Sequence, residues 1–378
     1  MNETHFECVR CHRTADLSQN SQNCTHNSLY GYYEIRYAYD NVKNFPTNAI
    51  GLSRYLPLLP LSSIKLSLHE GLTPLIELGT WSGSKVYLKD DSRNPTGSFK
   101  DRESFVLVNK AVENKVNSLF CVSSGNAALS LSAYAQLANI SCECFVSSNT
   151  SSIKKRLIKL YGGRISVLGS HYEDTYHKVM ALVQNGWNCC SGINPYNIEG
   201  GKTVAFEIWE ELGVPDKVIV PCGNGTNLAA VYKGFAELKK IGKTTRIPKI
   251  IGVQVKEADP LQKSLSNKAE TFAIPQIPDS IADSIVASES YSAPKALRAL
   301  EESNGSIVSV TDDEITEAMR SLARCSLMIE PSSASVLAAL NHLTLTSGET
   351  IVCIITGSAN KMLNQIYKII TGDKSGAV

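Results

Sequence analysis

The feature that most constrains the fold of this chain is a regular alternation of short apolar runs with amphipathic stretches, from about residue 85 onward. Runs such as "SLFCVSS", "KVIVPCG" and "TIVCIITGS" have the length and β-branched content of buried strands, and "NLAAVYKGFAELKKIG" has helical periodicity. Strands that alternate with helices form parallel sheets covered by helices. The pattern therefore predicts an α/β protein whose ligands bind at the carboxyl ends of strands.

Length and charge narrow the class of protein further. A chain of 378 residues is too long for one ordinary core, which indicates two domains and a small appendage. The 37 basic and 36 acidic side chains leave a net charge of +1, which gives no electrostatic reason to expect nucleic acid or an anionic membrane as a partner. No apolar run is long enough to span a bilayer and the first residues show no signal sequence, so we expect a cytoplasmic protein with reduced cysteines.

Four loops at predicted strand ends or helix starts carry candidate functional groups. "NPTGSFKDR" places Lys100 behind a turn of small residues, "SSGNAALS" opens a helix, "PCGNGTN" is a glycine-rich turn before a helix, and "IITGSANK" presents Thr356. Free backbone N–H groups at helix starts bind phosphates and carboxylates. One lysine, a phosphate cradle, a carboxylate cradle and a hydroxyl together match the needs of pyridoxal phosphate, whereas each loop alone is compatible with a turn or a helix cap.

Seven motifs resemble the threonine synthase family, a group of fold-type II pyridoxal-phosphate enzymes in the tryptophan synthase β superfamily. They occur in the order and spacing of that family: "HEGLTPL" (69–75), "LKDDSRNPTGSFKDR" (88–102), "SSGNAA" (123–128), "EGGKTVAFEIWEELG" (199–213), "PCGNGTN" (221–227), "EPSSA" (330–334) and "TGSANK" (356–361). The resemblance covers about residues 65–365 and implies two three-layer domains with parallel sheets. We expect a large domain from 46–110 plus 205–378, a nested small domain at 111–204, and a homodimer.

The resemblance also implies a role for each candidate residue. Lys100 forms the Schiff base with pyridoxal phosphate, Asn126 is the partner of the ring oxygen, and Thr356 faces the ring nitrogen. The phosphate cup consists of Gly223, Asn224, Gly225, Thr226 and Asn227. The α-carboxylate of an amino-acid substrate is expected at Ser123, Ser124 and Ala127. Lys100, once released, can carry the Cα proton as base and acid.

Three positions depart from the family pattern. Asn197 and Val286 stand where threonine synthases have basic residues on the substrate side, and Glu103 stands where glycine is usual. Arg102 and Lys202, which the family shares, remain. A guanidinium group contributes strongly to phosphate recognition. Because the basic residues are absent at these two positions, the sequence leaves the identity of the substrate open. Asn197 is kept as a candidate substrate-binding residue.

Three functions are therefore compatible with the sequence. The first is threonine synthase activity, in which phosphate leaves O-phosphohomoserine and water adds at Cβ. The second is β- or γ-replacement on another activated amino acid, such as O-phosphoserine or an O-acyl derivative, with a different nucleophile. The third is a non-catalytic relative that binds the cofactor, against which the intact Lys100 argues.

Residues 1–45 resemble a zinc ribbon with an incomplete second half. "CVRC" (8–11) is followed by "CTHN" (24–27), so Cys8, Cys11 and Cys24 are candidate metal ligands and Asn27 occupies the place of a fourth cysteine. His26, or His12, could supply the missing ligand. The sequence leaves open whether this segment holds zinc or has lost it, and a metal-free segment of this size would need compensating packing.

Overall fold

The residues that the structure describes form three β-sheets. The computed structural model describes residues 4–17, 24, 26, 29–42, 44–46, 48–183, 185–276 and 278–372. The first sheet is antiparallel in the order β2-β1-β3, with β1 at His5–Cys8, β2 at Thr14–Asp16 and β3 at Tyr33–Arg36. It forms the N-terminal segment and contains the predicted ribbon.

The second sheet has six strands in the order β12-β11-β10-β13-β5-β4, parallel except that β4 runs antiparallel to β5. The third sheet has four parallel strands in the order β8-β7-β6-β9. The strands of these two sheets are β4 (Leu75–Trp81), β5 (Ser84–Asp90), β6 (Ser118–Val122), β7 (Ser141–Val146), β8 (Arg164–Val167), β9 (Trp187–Asn188), β10 (Lys217–Pro221), β11 (Lys249–Val255), β12 (Ser306–Val310) and β13 (Thr350–Ile355).

Twelve α-helices connect these strands within the described residues. They are α1 (Lys100–Glu113), α2 (Asn126–Leu137), α3 (Ser152–Leu160), α4 (Tyr172–Leu182), α5 (Tyr196–Gly201), α6 (Thr203–Leu212), α7 (Thr226–Lys240), α8 (Pro260–Ser266), α9 (Ala293–Glu302), α10 (Asp312–Arg324), α11 (Pro331–Ala339) and α12 (Leu363–Thr371). Helix α10 begins behind Thr311, whose hydroxyl accepts from the backbone of Glu314 while the Glu314 carboxylate accepts from the backbone of Thr311.

Both faces of the six-stranded sheet are buried at its centre. On β10, Val218 and Val220 belong to one apolar core together with Phe235 of α7, whereas Ile219 belongs to a second core together with Val336 of α11. Side chains of successive strand residues point to opposite faces, so a fully apolar strand requires helices on both sides. The predicted α/β class with covered parallel sheets is confirmed.

The strands of the four-stranded sheet all lie between β5 and β10 in the chain, and the domain boundaries at 46, 111 and 205 stay a prediction. Strands β4, β9 and β12 and helices α5, α6, α8, α9 and α12 were not predicted. The cysteines of the described chain form no disulfide. Among the described residues, no helix is both long and apolar enough to cross a membrane.

Candidate active site

One cavity of about 270 Å³ lies where the carboxyl ends of β6, β10 and β13 meet the start of α1. This placement follows from the parallel sheets, because loops that leave the same edge of a sheet converge. Nearly all the residues proposed for cofactor and substrate line it: Lys100, Ser123, Ser124, Asn126, Ala127, Gly223, Asn224, Gly225, Thr226, Asn227 and Thr356.

Lys100 is the first residue of α1, and its ammonium group is held by polar partners. Nζ donates to both carboxylate oxygens of Glu103 at 2.8 and 2.9 Å and to the hydroxyl of Ser191 at 2.8 Å. The preceding turn is fixed by Asp101, whose carboxylate accepts from the backbone N–H and the hydroxyl of Thr96, both at 2.6 Å. Only 15% of the Lys100 side chain is exposed, so its amine is directed into the cavity rather than into solvent.

The two basic residues that match the family pattern lie away from the cavity. Arg102 is fully buried and forms ion pairs with Asp91 and Glu207, and Lys202 is fully buried between Glu199 and Glu237. Burial lowers the pKa of Lys202, while the two carboxylates act in the opposite direction. Both side chains therefore stabilise the scaffold behind the site, and neither is available to a bound phosphate.

The glycine-rich loop after β10 forms a cradle at the start of α7. Gly225 has φ +84°, and a Cβ there would lie 2.8 Å from Cβ of Ala296, so the loop requires glycine. Helix α7 begins at Thr226, and the backbone N–H groups of its first turn have no acceptor within the helix. The amide nitrogen Nδ2 of Asn227 is buried and has no hydrogen-bond partner among the described residues. Unpaired donors in a small-residue cradle fit a phosphate group.

The opposite part of the cavity carries a polar cluster around Asn126. Its Nδ2 donates to both oxygens of Glu330 at 3.1 and 3.0 Å, and its Oδ1 accepts from Nζ of Lys361. Burial raises the pKa of Glu330, and Lys361, 3.3 Å away, partly opposes that rise. Nδ2 has two N–H bonds, so Asn126 can keep Glu330 as a partner and still donate into the cavity.

Thr356 follows β13 and presents a neutral hydroxyl to the cavity. Its Oγ1 lies 2.8 Å from Oγ of Ser333, which also accepts from the backbone N–H groups of Thr356 and Gly357. Ser123 and Ser124 lie before α2, where the Oγ of Ser123 accepts from the backbone of Gly125. These groups supply a hydroxyl partner for a ring nitrogen and a helix start for a carboxylate, so the donor set fits pyridoxal phosphate and an amino acid.

The structure separates Asn197 and Val286, the two positions at which the family pattern has a basic residue. Val286 lines the cavity, whereas Asn197 is buried outside it and donates to the carbonyl of Cys190 at 3.2 Å. Apart from Lys100, the one basic residue among those lining the cavity is Lys154 of α3, which pairs with Asp283 at 2.6 Å. The sequence analysis did not find Lys154 because "SSIKKRLIKLYG" has the pattern of a solvated helix surface.

A second cluster of ligand-type side chains lies on the N-terminal sheet. The ligand atoms of Cys8, Cys11, Cys24 and His26 all lie within 4.8 Å of one another, and Cys11 Sγ is 3.6 Å from Cys24 Sγ. A tetrahedral zinc site with Zn–S bonds near 2.3 Å separates two sulfurs by about 3.8 Å. The backbone of Arg13 lowers the pKa of Cys11 to about 6, whereas burial raises the pKa of Cys8 to about 11.

The fourth member of this cluster is His26. Its Nε2 is shielded from solvent and has no hydrogen-bond partner among the described residues. His12 instead lies 3.0 Å from Glu7, and Asn27 lies outside the described residues. The arrangement is a Cys₃His ligand set of the kind that binds Zn²⁺.

Comparison with known proteins identifies the family of this chain. A family model described as pyridoxal-phosphate dependent enzyme matches residues 66–357. The chain is 35% identical over 378 residues to threonine synthase of Methanocaldococcus jannaschii, with 94% of this chain and 92% of that protein covered. It is 33% identical over 370 residues to threonine synthase of Methanosarcina acetivorans, with 93% and 91% covered.

Solved structures show the same fold at lower identity. An L-serine ammonia-lyase from Rhizomucor miehei superposes with a TM-score of 0.69 at 21% identity, covering 79% of this chain and 96% of that chain. Maize serine racemase gives a TM-score of 0.65 at 23% identity, covering 78% and 92%. At these identities the likeness concerns the fold alone.

Proposed function

Because this chain belongs to the threonine synthase family of pyridoxal-phosphate-dependent enzymes, we propose that it releases phosphate from O-phosphohomoserine and adds water at Cβ to give threonine. Its enzyme class, a pyridoxal-phosphate-dependent lyase, follows from its relatives. The observation that supports the substrate is a cavity that is lined by Lys100, a phosphate cradle and a second cation, Lys154.

The cofactor, when bound, withdraws electrons from Cα of the amino acid. Residues 223–227 would hold its phosphate, Asn126 and Thr356 would orient its ring, and Lys100 would bond to its aldehyde. The start of α2, with Ser123, Ser124 and Ala127, would bind the substrate carboxylate through N–H groups and hydroxyls. Lys100, released by the substrate amine, would then remove the Cα proton and return it later.

We propose Lys154 as the cation for the distal phosphate of the substrate. Arg102 and Lys202 are held in buried ion pairs, and Val286 and Asn197 carry no charge. Lys154 reaches the cavity from α3, and its partner Asp283 comes from the loop before α9. Both side chains are partly exposed, so a phosphate dianion can displace Asp283 at a low cost in free energy.

Release of inorganic phosphate from O-phosphohomoserine, with threonine as product, tests the reaction. Lys154→Gln should raise KM for this substrate by about tenfold, because it removes one charge-assisted hydrogen bond that contributes about 1.4 kcal/mol. Lys155→Gln, on the same helix but outside the cavity lining, is the matched control and should leave KM unchanged. No phosphate release from O-phosphohomoserine by the cofactor-loaded protein would rule out threonine synthesis.

The second candidate is replacement on another activated amino acid. The absence of a guanidinium from the cavity lining favours it, because bidentate phosphate recognition is lost. O-phosphoserine and O-acetylserine should be compared with O-phosphohomoserine by spectral change of the bound cofactor. A response to O-phosphoserine alone would favour β-replacement, and a response to O-acetylserine alone would remove the need for a phosphate site.

We also propose that Cys8, Cys11, Cys24 and His26 bind one zinc ion. Elemental analysis of the purified chain should give about one equivalent of zinc per chain, and Cys24→Ser should abolish it. A homodimer is expected by analogy with the family, and sedimentation equilibrium would test it.

A further inference from the structure

Glu103 contacts the reactive lysine of the site and has no other charged partner among the described residues. Its side chain is 4% exposed, both of its oxygens accept from Lys100 Nζ, and Oε2 also accepts from the hydroxyl of Ser191 at 3.0 Å. A buried carboxylate is costly unless it is paired, so this contact is a built feature rather than a chance surface pair.

The other carboxylates at the cavity are engaged elsewhere. Glu330 is held by Asn126 and Lys361, and Asp283 by Lys154. Glu103 does not line the cavity, whereas Lys100 and Ser191 do. The three polar groups therefore form a chain in which the hydroxyl of Ser191 connects the buried carboxylate with the space that the cofactor aldehyde would occupy.

We propose that Glu103 is the proton acceptor and donor for Lys100 when its amine bonds to the aldehyde of pyridoxal phosphate, with Ser191 as the relay to the cavity. Lys100 gives one proton to Glu103, and its neutral amine attacks the aldehyde carbon. Glu103 returns that proton through Ser191 to the oxygen, which takes a second proton from Nζ and leaves as water. Nζ thus enters with three protons and keeps one, and its positive charge remains opposite the carboxylate.

The physical requirement behind this step is a neutral nucleophile. An ammonium group has no lone pair for attack, so a base must take a proton in place and return it when the oxygen leaves. Glu103 sits one helical turn after Lys100, at hydrogen-bond distance from the atom that reacts. This role concerns loading of the cofactor and is independent of which amino acid the enzyme uses.

Stopped-flow measurement of the covalent step tests the proposal. Cofactor-free protein is mixed with saturating pyridoxal phosphate, and the first-order rise of visible absorbance is followed. Glu103→Gln should slow this step by about 100-fold, a typical contribution of general acid–base catalysis. Ser191→Ala, which leaves the carboxylate in place, should slow it by a smaller factor, roughly tenfold.

The chain offers a matched control on the same helix. Glu113 pairs with Lys110 at 3.1 Å with the same three-residue spacing as Lys100 and Glu103, and lies outside the cavity lining. Glu113→Gln should leave the covalent rate unchanged. Affinity for deoxypyridoxine phosphate, which has no aldehyde, should be the same in all variants, because it reports the phosphate cup and the ring contacts alone.

A second variant distinguishes a role of Glu103 in proton transfer from a purely structural role. In Glu103→Ala, added formate should accelerate the covalent step, because formate restores a carboxylate in the vacated space. A purely structural role predicts no such rescue. A covalent rate in Glu103→Gln within about threefold of the unaltered protein overturns the proposal, as does the absence of formate rescue in Glu103→Ala. No amino-acid substrate enters these measurements, so a wrong substrate assignment leaves their outcome unaffected.

Discussion

The cofactor cavity and the N-terminal cysteine cluster are built in opposite ways. The cavity collects segments from residues 99 to 356, many of them at the end of a parallel strand or the start of a helix. The cluster uses ligand atoms from residues 8 to 26 only, on a three-stranded antiparallel sheet. One site is assembled by long-range packing, and the other by a local segment.

The comparison shows what holds each site in place. Behind the cavity, buried strands and the ion pairs of Arg102 position the loops before any ligand binds. The N-terminal sheet has little core of its own. Its residue Phe6 packs on Tyr33 of the same sheet and on Tyr196 of α5, which lies outside the sheet. Glu34 on β3 pairs with Arg298 of α9. The stability of the cluster therefore depends on packing of the N-terminal sheet against the rest of the chain and, as we propose, on a metal.

The largest expected effect is the loss of the bond to the cofactor in Lys100→Arg, a change that a substitution in the cysteine cluster should not cause. Lys100→Arg keeps a cation for Glu103, but a guanidinium is not deprotonated and cannot form the bond to the cofactor. Borohydride should trap no adduct, and activity should fall by on the order of 1,000-fold. Cys8→Ser, in the other region, should leave the adduct intact. An adduct in Lys100→Arg would show that another lysine carries the cofactor.

The scaffold behind the cavity should be the next most sensitive part. Arg102→Met leaves Asp91 and Glu207 buried without their main partner, at a cost of about 4 kcal/mol in the free energy of unfolding. Urea denaturation measures this loss. Arg93→Met breaks a pair with Asp90 in which the arginine is 63% exposed, and should cost below about 1 kcal/mol. Equal losses in the two variants would contradict a preorganised scaffold.

Docking of the N-terminal sheet should depend on pH. Burial alone raises the pKa of Glu34, but Arg298 and Arg36 outweigh it and hold the pKa at about 2. The resulting stability is present above the unfolded value of 4.5 and is lost as the pH falls toward about 2. The difference in free energy of unfolding between the unaltered chain and Glu34→Gln should narrow by about 2 kcal/mol from neutral pH to about pH 3. A constant difference would mean that Glu34 is not charged in the folded state.

Metal removal should have an effect on stability no larger than that of the pH change. A chelator should lower the free energy of unfolding by roughly 2 kcal/mol, because docking through Phe6 and Glu34 supplies the remaining stability. Hydrogen exchange should increase in β1 and β2 and stay unchanged in β6 and β10. Global unfolding on chelation would make the cluster as essential to the fold as the buried ion pairs.

Much of the fold could be predicted from the sequence because buried parallel strands and amphipathic helices leave local patterns. The motifs around Lys100, Asn126 and Gly225 also identified residues that share one cavity. Strand β12 and helix α9 were missed since "SIVSV" is short and partly exposed and "APKALRALEE" follows an irregular segment. Asn197 was placed with the substrate by its position in a motif, and the structure buries its amide against Cys190.

The sequence by itself determined the class of fold and the cofactor and predicted Lys100 as the reactive lysine, because each is encoded in residues that are close along the chain. Only the tertiary structure decided which charges face the cavity. Lys154 reaches it from a helix with a surface pattern, while Arg102 is turned into buried ion pairs. The same holds for Ser191, which lies beside Glu103 although 88 residues separate them in the chain. Such contacts join residues distant in sequence, and no local periodicity records which side chains the packing of sheets will bring together.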